Sequence, residues 1–130
     1  ILDATAATNG YSKHNYLREN GIDVKVESWG GKMHMKAAVI DKKHIIVGSM
    51  NWTLAGEKKN DENTILINNF PELGVQLSLF FEKMWNSIPN SYLQKDPFPE
   101  SIESGISCYD LIDNDFDDII DANEKECLKT

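Results

Sequence analysis

Two short apolar runs joined by a charged triplet constrain the fold of this chain more than any other sequence feature. Met35 to Ile40 and His44 to Ser49 are apolar runs of strand length, and Asp41-Lys42-Lys43 separates them. Runs of this kind joined by a few polar residues are typical of a β-hairpin. The pattern therefore predicts two antiparallel neighbours in a sheet.

Further strand signals flank this hairpin. Ile22, Val24 and Val26 alternate with polar residues, which predicts a half-buried strand, and Thr64 to Ile67 predicts another. Trp29-Gly30-Gly31 breaks the pattern between the first of these strands and the hairpin.

Two helices are predicted. Ser12 to Asn20 reads as a short helix, with Ser12 as its N-cap and Gly21 as its stop. A longer helix opens after Asn69 and Pro71 and ends before Pro89. Its apolar residues recur at helical spacing and are interpreted as core rather than as a membrane-contacting face: Leu73, Leu77, Phe80, Phe81 and Met84. The fold class is α/β.

Charge is distributed unevenly along the 130 residues. Residues 1–90 are neutral, with ten Lys/Arg and ten Asp/Glu, and residues 91–130 carry the whole net charge of −8. A nucleic-acid-binding protein usually shows a basic surface. Since none is evident here, any phosphate binding must be local.

A histidine and a lysine stand two positions apart on the first hairpin strand. In a strand His34 and Lys36 point to the same face, and Ser49 and Asn51 form a second such pair after the next strand. An ammonium group neutralises phosphate oxygens, an imidazole attacks phosphorus or transfers a proton, and hydroxyl and amide donors stabilise the transition-state charge. The set suits a phosphodiester.

The full spacing, His34-x-Lys36-x4-Asp41 followed by Gly48-Ser49-x-Asn51, resembles the HKD signature of the phospholipase D superfamily. Trp52-Thr53 and Asn60-x-Glu62-Asn63 resemble the small bacterial endonucleases of that superfamily. The resemblance covers roughly residues 1–88.

The resemblance implies a role for each matching residue. His34 would be the nucleophile that forms a phosphohistidine, or its partner acid. Lys36 and Asn51 would bind the phosphate, and Ser49 would line the site. Glu62 would accept a hydrogen bond from a histidine ring and hold its tautomer.

Asp41 belongs to the same catalytic signature. It lies seven residues from His34, so that strand parity turns it away from the site, and a structural, hydrogen-bonding role is predicted for it. His14 and His44 are interpreted as structural. Glu57-Lys58-Lys59 is interpreted as a solvated helix end, with contact to a nucleic-acid backbone as the alternative.

The family resemblance also implies a mixed β-sheet flanked by helices, which normally begins upstream of the matched region. The chain is therefore expected to be incomplete at its N-terminus. The family reaction uses two HKD motifs and this chain has one. The second would come from a two-fold homodimer, or from another half in a longer chain.

The acidic segment carries a different pattern. Counted from Asp113, carboxylates fall at positions 1, 3, 5, 9 and 12, with a carbonyl at position 7, as in an EF-hand-type calcium loop. The predicted ligands are Asp113, Asp115, Asp117, Ile119, Asp121 and Glu124. The spacing also resembles thrombospondin type 3 repeats and dockerins. One departure is Asp118 at position 6, where glycine is usual.

Two cysteines, Cys108 and Cys127, bracket this loop. A disulfide between them would hold together a very small module and would indicate an oxidising compartment, extracellular or periplasmic. A disordered acidic tail with free thiols is the alternative. The predicted domains are a phospholipase D-like part at 1–88, a linker at 89–107 and the calcium-loop module at 108–127.

The predicted function is phosphodiester hydrolysis through a covalent phosphohistidine, without a catalytic metal, with calcium only as a structural ion. The predicted substrate is nucleic acid, cut by an endonuclease. The first alternative is a phospholipase D or cardiolipin hydrolase acting on phospholipids. The second is an inactive half-domain that serves as a calcium-dependent binding module.

Overall fold

The computed structural model describes residues 1–27, 33–98, 101–102, 108–113, 118–120, 123–125 and 127–128. The chain divides into two compact units, His34–Asn86 and a second made of Ile1–Met33 with Ser87–Thr130. The elements in chain order are α1 (Ala4–Thr8), α2 (His14–Glu19), β1 (Lys36–Ile40), β2 (His44–Gly48), α3 (Leu54–Lys58), β3 (Thr64–Ile67), α4 (Pro71–Ser87) and a 3₁₀ turn, η1 (Asn90–Leu93).

The unit His34–Asn86 is built on an antiparallel sheet in the order β1-β2-β3. Lys36 is paired with Gly48, and Gly48 with Thr64, so these three residues lie side by side at one end of the sheet. At the other end Ile40 pairs with His44. The predicted hairpin and the third strand are confirmed.

The hairpin turn depends on left-handed backbone conformations at Asp41 and Lys42, with φ of 52° and 54°. Positive φ at both central positions is the requirement of a type I′ turn, and Asp tolerates it better than most residues. The Lys43 amide donates to the Ile40 carbonyl at 3.2 Å and closes the turn. A Cβ on Gly74 of α4 would lie 2.2 Å from the Lys42 carbonyl oxygen, so helix and turn pack backbone against backbone.

Helix α4 begins at Pro71 and ends at Ser87, as predicted. The prediction that the apolar residues of this helix belong to the core is confirmed only in part. Leu73, Leu77 and Met84 are half-buried, but Phe80 and Phe81 remain 46% and 44% exposed.

The other unit has its core where α1 packs beside a single parallel bridge between Leu2 and Val26. The prediction of a half-buried strand at residues 22–26, with its polar side chains exposed, is wrong. Lys25 and Glu27 are as buried as Val26. Distant partners allow this, since the Lys25 ammonium donates to the Ile88 carbonyl at 2.7 Å and the Glu27 carboxylate accepts from the Ala4 amide at 3.4 Å.

Helix α2 begins at His14 rather than at the predicted Ser12 cap. The Ser12 hydroxyl is bonded instead to His14 Nδ1 at 2.7 Å, and His14 Nε2 lies 2.7 Å from the Asp96 carboxylate. Asp96 also pairs with Arg18 at 2.9 Å. Gly21, with φ of 79°, ends the helix as predicted. These contacts fix residues around Asp96, inside the predicted linker, to α2.

A disulfide joins Cys108 and Cys127, as the spacing predicted. Across the part of the chain that is described, no helix combines the length and apolarity that a membrane span requires. The domain boundaries proposed from composition stay a prediction.

Candidate active site

Four predicted site residues meet at one end of the β1-β2-β3 sheet because the strands are antiparallel. His34 stands two residues before β1, and Asn51 comes three residues after β2. Glu62 stands two residues before β3. The start of one strand, the end of the next and the start of the third lie at the same edge, so Lys36 and these three residues share it.

Glu62 is the best-anchored residue of this edge. Its Oε2 accepts a hydrogen bond from the Ser49 hydroxyl at 2.5 Å, and its Oε1 accepts one from the Asn60 side-chain amide at 3.0 Å. The Ser49 oxygen in turn accepts from the Asn63 amide at 3.1 Å, and the Ser49 amide donates to the Asn63 carbonyl at 2.9 Å. The carboxylate is thus held from two directions.

These contacts hold the pKa of Glu62 below its usual value. The largest cause is the Ser49 hydrogen bond, followed by that from Asn60, and the Lys36 ammonium acts in the same direction. Partial desolvation opposes them. Donors to a carboxylate favour its charged form, so Glu62 is an anion at neutral pH.

The Lys36 side chain is hydrogen-bonded to the backbone of His34. The Lys36 ammonium donates to the His34 carbonyl at 2.7 Å, and its other two N–H groups have no hydrogen-bond acceptor among the described residues. The His34 ring is exposed and has no hydrogen-bond partner among the described residues. An exposed imidazole at the same sheet edge as an ammonium and a carboxylate suits attack on an anionic phosphodiester.

Asn51 is positioned by helix α3, of which the sequence predicted only the solvated end at Glu57-Lys58-Lys59, and these residues are exposed at the end of the helix. Thr53 caps this helix, since its hydroxyl accepts from the Gly56 amide at 3.1 Å. Gly56 lies directly against the Asn51 backbone, where a Cβ would be 2.2 Å from the Asn51 carbonyl oxygen. Next to Asn51, Trp52 and Leu54 are 63% and 65% exposed.

The structure gives the surroundings of three predicted site residues, Ser49, Glu62 and Asp41. The Ser49 hydroxyl donates to Glu62 and accepts from the Asn63 amide. The oxygens of Glu62 have Ser49 and Asn60 as partners, and no contact to His34 is present among the described residues. Asp41 lies in the turn at the opposite end of β1, a strand of about 17 Å, and its carboxylate has no described hydrogen bond.

Asn60 belongs to the motif that resembles the small endonucleases, but the sequence alone indicated no role for it. Its position two residues before Glu62 was the available signal, but the hydrogen bond to Glu62 depends on where α3 ends. The two remaining histidines have the structural contacts predicted for them. His44 Nδ1 accepts from the Asn69 amide at 3.3 Å, and His14 is buried beside Asp96.

The predicted calcium loop lies only partly within the described residues. Asp115, Asp117 and Asp121 lie outside them, and what is described contains no cluster of three or more metal-binding side chains. Asp118 has φ of 70°, and its amide donates to the Asp113 carboxylate at 3.0 Å. The left-handed conformation needed at position 6 is therefore adopted by Asp. Calcium binding by Asp113, Ile119 and Glu124 with the three others stays a prediction.

Comparison with known proteins supports the resemblance to the phospholipase D superfamily for the first two thirds of the chain. Residues 1–85 match the family described as cardiolipin synthase, PLD-like domain. A phospholipase D of Rickettsia typhi is 41% identical over 69 residues, which are 53% of this chain and 34% of that protein. A mitochondrial cardiolipin hydrolase of Canis lupus familiaris is 35% identical over 107 residues, 79% of this chain and 41% of that protein.

A solved structure shares the fold. Nuc from Salmonella typhimurium, described as a phospholipase D family member, superposes with a TM-score of 0.56 at 29% identity. The match covers 65% of this chain and 52% of that one. The chain thus spans well under half the length of the two curated relatives.

Proposed function

Because the chain belongs to the phospholipase D-like family, we propose that it hydrolyses phosphodiester bonds through a covalent intermediate on His34. The observation that carries this proposal is the meeting of His34, Lys36, Asn51 and Glu62 at one edge of the sheet.

The residues divide the reaction between them. A neutral His34 nitrogen attacks phosphorus, a P–N bond forms, and the bond from phosphorus to the leaving oxygen breaks. Lys36 and Asn51 bind the non-bridging oxygens and stabilise the charge that grows on them. Glu62 is an anion placed to accept from a protonated or tautomer-fixed imidazole.

A second histidine completes the cycle. It donates a proton to the leaving oxygen, then accepts one from the water that attacks phosphorus and breaks the P–N bond. The products are a phosphomonoester and an alcohol. We propose that this histidine comes from a twin chain in a two-fold dimer, or from a second half of the same protein.

Two substrate classes remain to be separated. The motif spacing Gly48-Ser49-x-Asn51-Trp52-Thr53 favours a nucleic-acid backbone. The names of the curated relatives favour a phospholipid. The exposed Trp52 and Leu54 beside the site suit either, as a stacking surface for bases or as an apolar contact for acyl chains.

The test uses the full-length protein with bis(p-nitrophenyl) phosphate, supercoiled plasmid and cardiolipin vesicles, each in excess EDTA. We expect hydrolysis that survives EDTA, is lost in His34→Ala and is retained in His44→Ala, a histidine at the far end of the sheet. Circular dichroism in EDTA confirms that the fold is intact. Cleavage of none of the three substrates, or equal activity in His34→Ala, would reject the proposal.

The same assays distinguish a nucleic-acid substrate from a phospholipid substrate. Nicking of plasmid without release of phosphatidic acid identifies a nuclease. The reverse identifies a phospholipase. Activity on bis(p-nitrophenyl) phosphate alone would support the chemistry and reject both substrate classes.

A further inference from the structure

Asn60 has no assigned role once the phosphate-binding residues are accounted for, and Ser49 was predicted only to line the site. Ser49 comes from the segment after β2, and Asn60 lies between α3 and β3. They bond to different oxygens of the same carboxylate, that of Glu62, at 2.5 and 3.0 Å. Together these three side chains form what we call the carboxylate clamp.

Each clamp residue is itself fixed. The Ser49 oxygen accepts from the Asn63 amide, so its own proton is directed to Glu62. The Asn60 backbone amide donates to the Ala55 carbonyl at 3.1 Å, which ties it to the end of α3. The clamp therefore connects α3, β2 and β3 at the edge that carries His34.

We propose that Ser49 and Asn60 are positioning residues that hold Glu62 ionised and in one orientation for the reaction at His34. Neither touches the substrate in this account. Both act through Glu62, which keeps its remaining lone pairs available for an imidazole. The inference rests on the proposed function and gives Ser49 a role different from that of a substrate-binding hydroxyl.

The charges around Glu62 support this role. The neutral donors Ser49 and Asn60 are the main causes that lower the pKa of Glu62, and the charge of Lys36 on β1 lowers it by a smaller amount. Asp61, its chain neighbour, is exposed. Removing either neutral donor leaves the charged partner in place. Asn60→Ala therefore reports the side-chain hydrogen bond to Glu62, whereas Ser49→Ala also removes the acceptor of the Asn63 amide.

The experiment compares Asn60→Ala and Ser49→Ala with wild type in the full-length protein. We expect kcat on bis(p-nitrophenyl) phosphate to fall roughly tenfold at constant KM, because each variant loses a hydrogen bond to a charged carboxylate. The acidic limb of the pH–rate profile should move to higher pH, because the anion of Glu62 has lost a donor. Ser49→Thr, which keeps a hydroxyl, should restore kcat.

Asn68→Ala is the matched control, since Asn68 is an exposed asparagine just beyond the other end of β3. It should leave kcat and the pH profile unchanged. If Asn60→Ala and Ser49→Ala behave as this control does, the clamp has no function. A rise in KM at constant kcat in Ser49→Ala would instead show that Ser49 binds substrate, which also overturns the proposal.

A second readout does not depend on activity. The pKa of Glu62, followed by NMR of its side-chain carboxyl carbon, should rise in Asn60→Ala and in Ser49→Ala and stay constant in Asn68→Ala. If the wild type hydrolyses no phosphodiester, the proposed function fails, while this titration still decides whether the clamp acts on Glu62. An unchanged Glu62 pKa in both variants would refute it.

Discussion

Replacement of Gly48 by alanine is the most direct structural test of the sheet edge that carries the site. An alanine Cβ at this position would lie 2.0 Å from the Asn63 carbonyl oxygen and 2.9 Å from the Thr64 Cα, where ordinary contacts begin at 3.4 Å. Both neighbours are backbone of the adjoining strand, so neither can rotate away. The start of β3 must move, and with it Glu62.

The cost can be worked out from these contacts. Overpacking against fixed backbone costs about 1–3 kcal/mol, and loss of the bond from the Ser49 amide to the Asn63 carbonyl adds about 1 kcal/mol. The lower entropy of an unfolded chain with alanine offsets about 0.5 kcal/mol. A net loss of roughly 1.5–3.5 kcal/mol follows, which lowers Tm by about 5–15 °C in a chain of this size.

Thermal unfolding followed by circular dichroism measures this change. Gly10→Ala is the matched control, because nothing lies within 4 Å of a Cβ at position 10 and its φ is not positive. Its Tm should stay within about 2 °C of wild type. If Gly48→Ala has the same Tm as Gly10→Ala, then β2 and β3 do not approach each other as closely as described. That result would refute the geometry of the sheet edge that carries the site.

Three further predictions concern the unit made of Ile1–Met33 and Ser87–Thr130. Asp96→Ala should lower the free energy of unfolding by about 2 kcal/mol in urea denaturation, because it removes the charged partner of the half-buried Arg18, and an unchanged midpoint would contradict this. Reduction of the Cys108–Cys127 disulfide opens a 19-residue loop and should cost about 3 kcal/mol in the same assay, unless the reduced loop keeps its structure. Calorimetric titration with calcium should show binding that Asp113→Asn weakens at least tenfold; no heat in the wild type would reject the calcium loop.

The parts of the fold that were predictable are those specified by local pattern. The hairpin, β3 and α4 each carry their own periodicity and boundary residues. Helix α1 was missed, and only the end of α3 was predicted, because helices this short depend on caps and packing, here from Asp3 and Thr53. The 22–26 segment was misjudged because Lys25 and Glu27 are buried against partners far away in sequence.

The residues of the site were predictable from the sequence, but not all of their contacts were. The residue set followed from motif spacing, and its convergence follows from antiparallel register alone. The roles of Ser49 and Asn60 did not, because they depend on hydrogen bonds between segments whose relative placement no local pattern specifies.

The central claim is that His34 forms a covalent bond to phosphorus. The full-length protein is mixed with bis(p-nitrophenyl) phosphate, quenched in base within the first turnovers to preserve an acid-labile phosphohistidine, and digested for peptide mass spectrometry. The account predicts a phosphoryl adduct on His34 that is absent from His44 and is not formed by His34→Ala. An active protein without any adduct, or with phosphorus on another residue, would contradict it.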